Sequence, residues 1–174
     1  MEMNTNNLAV AASDDVIASL PLDAPLSQEA LEARVAALQQ KLSDSGHRTT
    51  PQRLHILRAL LATEEHPTAE DLWNRVRLIS PTTTLATVYK TLDVLSEMGE
   101  VMELETRDQS RHYDALHPEA HPHAVCKRCG RIDDVDLEGA EDLQSQATKA
   151  SGYQIDEQSL TFYGLCSPCQ EATK

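Results

Sequence analysis

Aromatic side chains are scarce in this chain: six among 174 residues, namely Trp73, Tyr89, Tyr113, Tyr153, Phe162 and Tyr163. Any core must therefore rest on Leu, Val, Ile and Ala, and 40% hydrophobic residues suffice for one modest core or two small ones. Small cores of this kind often need a staple. Positive charge is also short, with 15 Lys and Arg against 28 Asp and Glu and a net charge of −13. That balance excludes a protein that grips nucleic acid by bulk electrostatics. No apolar run reaches membrane-spanning length, and Asp14-Asp15 interrupts the only stretch resembling a leader, so the expected compartment is the cytoplasm, with no membrane partner. A Gly-rich phosphate loop, an HExxH helix and a GxSxG elbow are missing too, which leaves a metalloenzyme without its usual signatures; the expectation is a non-enzyme.

The charge is unevenly spread. Residues 1–45 carry 7 acids and 2 bases, residues 46–100 carry 7 and 6, and residues 101–174 carry 14 and 7. The nearly neutral middle third, with Arg48, Arg53, Arg58, Arg75, Arg77 and Lys90, is where a nucleic-acid contact would have to lie.

Residues 1–26 are polar and small and lack a period, as expected of a flexible arm. Ser27 then caps a helix carried by Leu31, Val35, Leu38 and Leu42 and stopped by Gly46. Thr50-Pro51 starts a second helix, Thr68 a third running to Ile79, and Thr84 a fourth with the stripe Leu85, Val88, Leu92, Leu95 and Met98. Strand-like segments Val101–Glu105 and Arg111–Ala115 flank a polar turn. Short helices followed by a hairpin spell a winged helix-turn-helix over residues 27–116. Residues 117–174 alternate strand-like pieces (Ala124–Cys126, Ile132–Val135, Tyr153–Ile155, Ser159–Leu165) with a helix over Gly139–Ala150. The fold class is α+β: a winged-helix DNA-binding domain, then a small α/β domain.

Cys126-Lys127-Arg128-Cys129 and Cys166-Ser167-Pro168-Cys169 are two CxxC knuckles separated by 36 residues. Each spacing places two thiolates on one tetrahedral ion, and four thiolates select zinc. A pair of redox motifs is the alternative, disfavoured because neither pair sits at a strand-to-helix switch. Four of seven histidines crowd into His112–His123, with His121 and His123 alternating so that both point the same way on an extended chain. Asp133-Asp134 follows the first knuckle, and a carboxylate there can meet the same ion. A mixed imidazole and carboxylate site accepts iron, manganese or zinc. On residues alone, the cluster is equally well a polar surface loop.

Taken together, Arg48-Thr49-Thr50-Pro51-Gln52-Arg53, His66-Pro67-Thr68-Ala69, Ala86-Thr87-Val88-Tyr89, His121-Pro122-His123-Ala124-Val125-Cys126, Cys129-Gly130 and the final CxxC resemble the ferric uptake regulator family from about Leu26 to Cys169. The resemblance implies a metal-dependent repressor that binds double-stranded operator DNA as a homodimer, with residues 117–174 as the dimerisation and metal-binding domain. It implies structural Zn2+ on Cys126, Cys129, Cys166 and Cys169, and regulatory Fe2+ or Mn2+ on His66, Asp114, His121, His123 and Asp134. Aspartate at both carboxylate positions is similar to the peroxide-sensing branch, in which iron-catalysed oxidation of a ligand histidine releases DNA; iron-uptake or zinc-uptake control is the alternative. The same resemblance makes the fourth helix the recognition helix, with Thr84, Ala86, Thr87, Tyr89 and Lys90 towards the major groove and Arg48 and Arg53 beside it on backbone or minor groove.

Overall fold

The computed structural model describes residues 26–107 and 109–172. The arm expected over residues 1–26 lies, apart from Leu26, outside the described residues. The chain divides into two compact units, one ending at Leu116 and the other starting at His117.

The first unit begins with four helices: α1 (Gln28–Asp44), α2 (Pro51–Leu61), α3 (Ala69–Val76) and α4 (Leu85–Glu97). A hydroxyl sets each start. Ser27 accepts from the Ala30 N–H, Thr50 from Arg53, Thr68 from Asp71 and Thr84 from Thr87, each satisfying one of the donors that a helix N-terminus leaves over. At Thr68 the cap is reciprocal, because the Asp71 carboxylate accepts from the Thr68 N–H at 3.0 Å. Gly46 and Gly99, at φ 78° and 67°, end α1 and the turn after α4 in the left-handed region that glycine enters without strain. The helix expected to reach Ile79 stops at Val76, and Ile79 falls in the turn whose N–H groups fold back on the Val76 carbonyl.

Leu38, Leu42, Ile56, Leu57, Leu61, Leu72, Val88, Leu92 and Leu95 form the aliphatic core of this unit, all essentially inaccessible. Tyr113 is the aromatic that joins them, 1% exposed. Strands β1 (Met102–Glu105) and β2 (Arg111–Asp114) pair antiparallel as the wing, with Leu104 opposite His112. At the root of the wing, Glu100 pairs with Arg34 and Lys41 of α1.

The second unit has a three-stranded sheet in the order β4-β3-β5, from β3 (His123–Cys126), β4 (Ile132–Asp134) and β5 (Thr161–Gly164). β3 is central, antiparallel to β4 and parallel to β5. Helices α5 (Leu143–Ser151) and α6 (Ser167–Glu171) complete it, and neither buries a residue. Tyr153–Ile155, expected as a strand, has no ladder partner among the described residues, and Tyr153 is 73% exposed. Its β-leaning residue types had nothing to pair with, so propensity alone misled. The helix expected over Gly139–Ala150 opens instead as a 3-10 turn (Ala140–Asp142) behind left-handed Gly139. Among the described residues, no helix is long and apolar enough to cross a membrane.

Thr68→Ala removes the hydroxyl half of the capping box and leaves the backbone bridge to the wing. We expect a loss of about 1 kcal/mol from the first unit, read as a lower urea midpoint. Asp71 sits below its ordinary pKa of 3.8, because its bonds to Thr68 outweigh its partial burial. Its share of the stability is therefore present above pH 3.8 and lost as pH falls through the lower folded value.

Candidate metal centres and nucleic-acid interface

The two CxxC pairs meet at one end of β3. Cys126 is the last residue of that strand, and the parallel register sets it against Gly164, so the chain leaving β5 delivers Cys166 beside it. Cys166 N–H points at the Cys126 sulfur at 3.4 Å, and Cys129 and Cys166 sulfurs are 3.7 Å apart. All four sulfurs lie within 4.8 Å of one another. Thiolates held about 2.3 Å from a common tetrahedral ion are spaced by roughly 3.8 Å, so the quartet has the dimensions of a zinc site. Gly130 takes φ 78° to close the first knuckle, with its N–H on the Cys126 carbonyl at 2.9 Å. Arg128 ties the knuckles together by donating to the Cys169 carbonyl. The backbone N–H groups of Cys166, Cys129 and Arg128 aimed at the Cys126 sulfur draw its thiol down to about 5, while the bond to Cys166 pushes Cys169 up to about 12. Amide donors that stabilise one thiolate suit metal binding.

The other end of β3 carries the second cluster. Antiparallel register sets His123 opposite Asp134 and Ala124 opposite Asp133, so the two aspartates face opposite sides of the sheet. Asp133 is taken by Arg131 at 3.0 Å. Asp134 Oδ1 lies 3.1 Å from His121 Nε2 and 3.8 Å from His123 Nε2. His121 Nδ1 lies 2.8 Å from the Glu119 carbonyl, which turns Nε2 towards the carboxylate. Two imidazoles and a carboxylate gathered in this way are a donor set that fits a divalent metal.

In the first unit, His66 Nε2 and Asp114 Oδ2 are 3.8 Å apart and both residues are buried. Their placement comes from the wing. Tyr113 N–H donates to the Pro67 carbonyl at 3.1 Å, Thr68 bridges to His112, and a His112 ring nitrogen lies 2.7 Å from the His66 carbonyl. His112, to which the sequence assigned no ligand role, thus positions the loop. Leu116 N–H holds Asp114 Oδ1 at 2.8 Å, leaving Oδ2 towards His66. Burial pushes the neighbouring Tyr113 phenol up to about 12, so it stays protonated.

Arg48, Arg53, Thr87 and Lys90 line one cavity of about 360 Å³ together with His47 and Gln52, which sequence reasoning did not single out. A concave basic patch in a strongly acidic chain is a fitting seat for backbone phosphate. Arg53 Nη1 donates to the Arg48 carbonyl at 2.8 Å, so part of its donor capacity shapes the patch itself. Thr84, Ala86 and Lys90 are exposed on the N-terminal half of α4. Tyr89 does something unforeseen: its hydroxyl donates to Glu70 of α3 at 2.8 Å, which raises its pKa and commits its proton. Tyr89 is left with its ring and an oxygen lone pair.

A winged helix-turn-helix followed by an α/β unit bearing a thiolate quartet and an imidazole-carboxylate cluster defines a metal-responsive transcription regulator. The chain belongs to the ferric uptake regulator family, whose model matches residues 44–163. It is 35% identical over 132 residues to the peroxide operon regulator of Bacillus subtilis (strain 168), covering 76% of this chain and 90% of that protein. It is also 35% identical over 143 residues to the ferric uptake regulation protein of the same strain, covering 80% and 96%. A solved zinc uptake regulator complexed with zinc and DNA is similar at TM-score 0.64 and 28% identity, covering 82% of this chain and 97% of that one.

Cys126→Ser or Cys169→Ser is expected to abolish the cooperative melt of the second unit, since structural zinc contributes folding free energy directly. Calorimetry with zinc analysis checks this; a variant with native melting and full zinc content would remove the quartet from its structural role. Lys90→Ala should lower the salt slope of DNA binding by about 1 per chain without altering stability.

Proposed function

We propose that this chain is a metal-dependent repressor that grips double-stranded operator DNA as a homodimer and lets go when hydrogen peroxide oxidises a ligand histidine. Cys126, Cys129, Cys166 and Cys169 hold structural Zn2+. His66, Asp114, His121, His123 and Asp134 hold regulatory Fe2+ or Mn2+, and Arg48, Arg53, Thr84, Ala86, Thr87, Tyr89 and Lys90 meet DNA. The observation that carries the reading is the register of β3 and β4, which gathers His121, His123 and Asp134 at one end of the sheet while the four cysteines meet at the other. A regulatory ion taken up there makes the DNA-competent state depend on metal, and loss of one ligand reverses it.

Dimerisation is supported by what the second unit leaves uncovered. Leu137, Leu143, Tyr153, Phe162 and Leu165 are each at least 40% exposed, and Phe162 stands on β5, an edge strand. A second copy of the same surface would bury them in a self-complementary way.

Ferrous iron held there would cleave the peroxide O–O bond by lending one electron, which it would regain when the oxidised ring loses its hydrogen. The chain supplies the target, an imidazole C–H of His66 or His121: in sum one peroxide is consumed, one oxygen is added to the ring and one water is released. An oxidised imidazole is a poorer ligand, so the metal is held less tightly and DNA is released. The equal identity to the ferric uptake regulation protein supports iron-uptake control as the second reading.

Gel shifts of the metal-free, zinc, manganese and ferrous forms, each with and without peroxide, test this directly. We expect the manganese and ferrous forms to bind, and only the ferrous form to lose DNA on peroxide, with a gain of one oxygen on His66 or His121 by mass spectrometry. Oxidation confined to the cysteines would replace the histidine mechanism with a thiol switch. His66→Ala should retain metal, since four ligands remain, and lose DNA binding.

A further inference from the structure

Asp134 stands among three imidazoles, and its two oxygens face different ones. Oδ1 faces His121 and His123, at 3.1 and 3.8 Å. Oδ2 lies 3.0 Å from Nδ1 of His117. The three rings are not equivalent. His123 is 2% exposed and His121 20%, whereas His117 is 65% exposed. The His117 ring meets His121 edge to face, 5.8 Å between centroids at 79°, while His121 and His123 lie closer, at 4.2 Å. His117 therefore occupies the solvent side of the carboxylate, and the other two imidazoles its inner side.

Resting on the reading of Asp134 as a ligand of the regulatory metal, we propose that His117 is a positioning residue whose Nδ1–H holds Oδ2 and limits Asp134 to a single metal-ligating oxygen, Oδ1. A carboxylate binds a cation through one oxygen or two, and which it does depends on what else its oxygens are bonded to. An imidazole N–H on one oxygen lowers that oxygen's electron density and fixes the carboxylate plane, so the two-oxygen mode is disfavoured. Three imidazoles and two one-oxygen carboxylates make five donors. That leaves one position for a small incoming molecule, and a two-oxygen Asp134 would fill it. His117 thus guards the vacancy that peroxide chemistry requires, without itself touching the ion.

Two further features fit the role. Pro118 follows His117 and confines its backbone to the extended region, which presets the direction of the side chain. The contact is largely exposed, so it adds little to stability, and its removal should leave the fold intact.

Cobalt(II) is a suitable probe, because its visible absorption weakens when a sixth donor joins five. It would be titrated into the full-length chain with the cysteine site filled by zinc. His117→Ala should weaken the cobalt absorption and lower cobalt affinity about tenfold, the lower end of what loss of an outer partner costs. His117→Asn, whose side-chain amide N–H can take the place of Nδ1–H, should restore both. A His117→Ala spectrum and affinity equal to those of the parent would overturn the proposal. So would a His117→Asn variant as impaired as His117→Ala, since that would make His117 a ligand rather than a donor to one. Asp134→Ala separates the two levels: if cobalt binding survives that change unaltered, the ligand assignment fails before His117 is at issue.

Discussion

The register of β3 is the constraint on which the second unit depends. A strand of four residues begins with His123 and ends with Cys126, and the two sites at its ends differ in chemistry because the strand's neighbours differ at those points. At the first end β4 brings Asp134 across; at the other β5 brings the second knuckle alongside. The ends are separated by about 10 Å of extended chain, close enough to be rigidly coupled and far enough that one ion cannot draw on both sets. A slip of one residue against β4 would bring Asp133 opposite His123 and turn Asp134 to the other face. The thiolate quartet, by clamping one end of the strand, thereby also maintains the alignment at the other.

The first unit gathers positive charge locally in a chain of net charge −13. The end of α1, the start of α2 and the first turns of α4 converge, so that Arg48, Arg53 and Lys90, spread over 42 positions, line one concavity. Hydroxyl caps decide where each helix begins, and hence which turn of α4 is outermost. Glu70 of α3 is the counterweight, an acid that engages the Tyr89 hydroxyl. The result is a surface in which cationic side chains line one concavity while the tyrosine is tied to a neighbouring helix.

What could be read from the sequence was what local rules decide. Thr50-Pro51, Thr68 with Asp71 three residues on, and the CxxC spacings each carry their meaning within a few residues, and the structure has helix caps and knuckles at those places. Features that depend on distant partners were not legible. The strand-like composition of Tyr153–Ile155 misled because a strand exists only if another accepts its hydrogen bonds. The Tyr89 to Glu70 bond joins positions 19 apart, and the His112 contact joins positions 46 apart. Asp133 and Asp134 differ by the pleat: one faces Arg131 and the other the imidazoles. Arg131, two residues before Asp133, was a visible hint.

The stitching between the 66–68 loop and β2 bears on how force passes through the first unit. Three contacts within three residues, from Tyr113 to Pro67, from Thr68 to His112 and from the His112 ring to the His66 carbonyl, leave the loop no freedom to yield by itself. A soft loop would absorb a pull on the His66 side chain as local slack. This one is spliced to β2 through both backbone and side chain, so the loop that carries His66 and the strand that carries Asp114 are held as a single piece of the first unit.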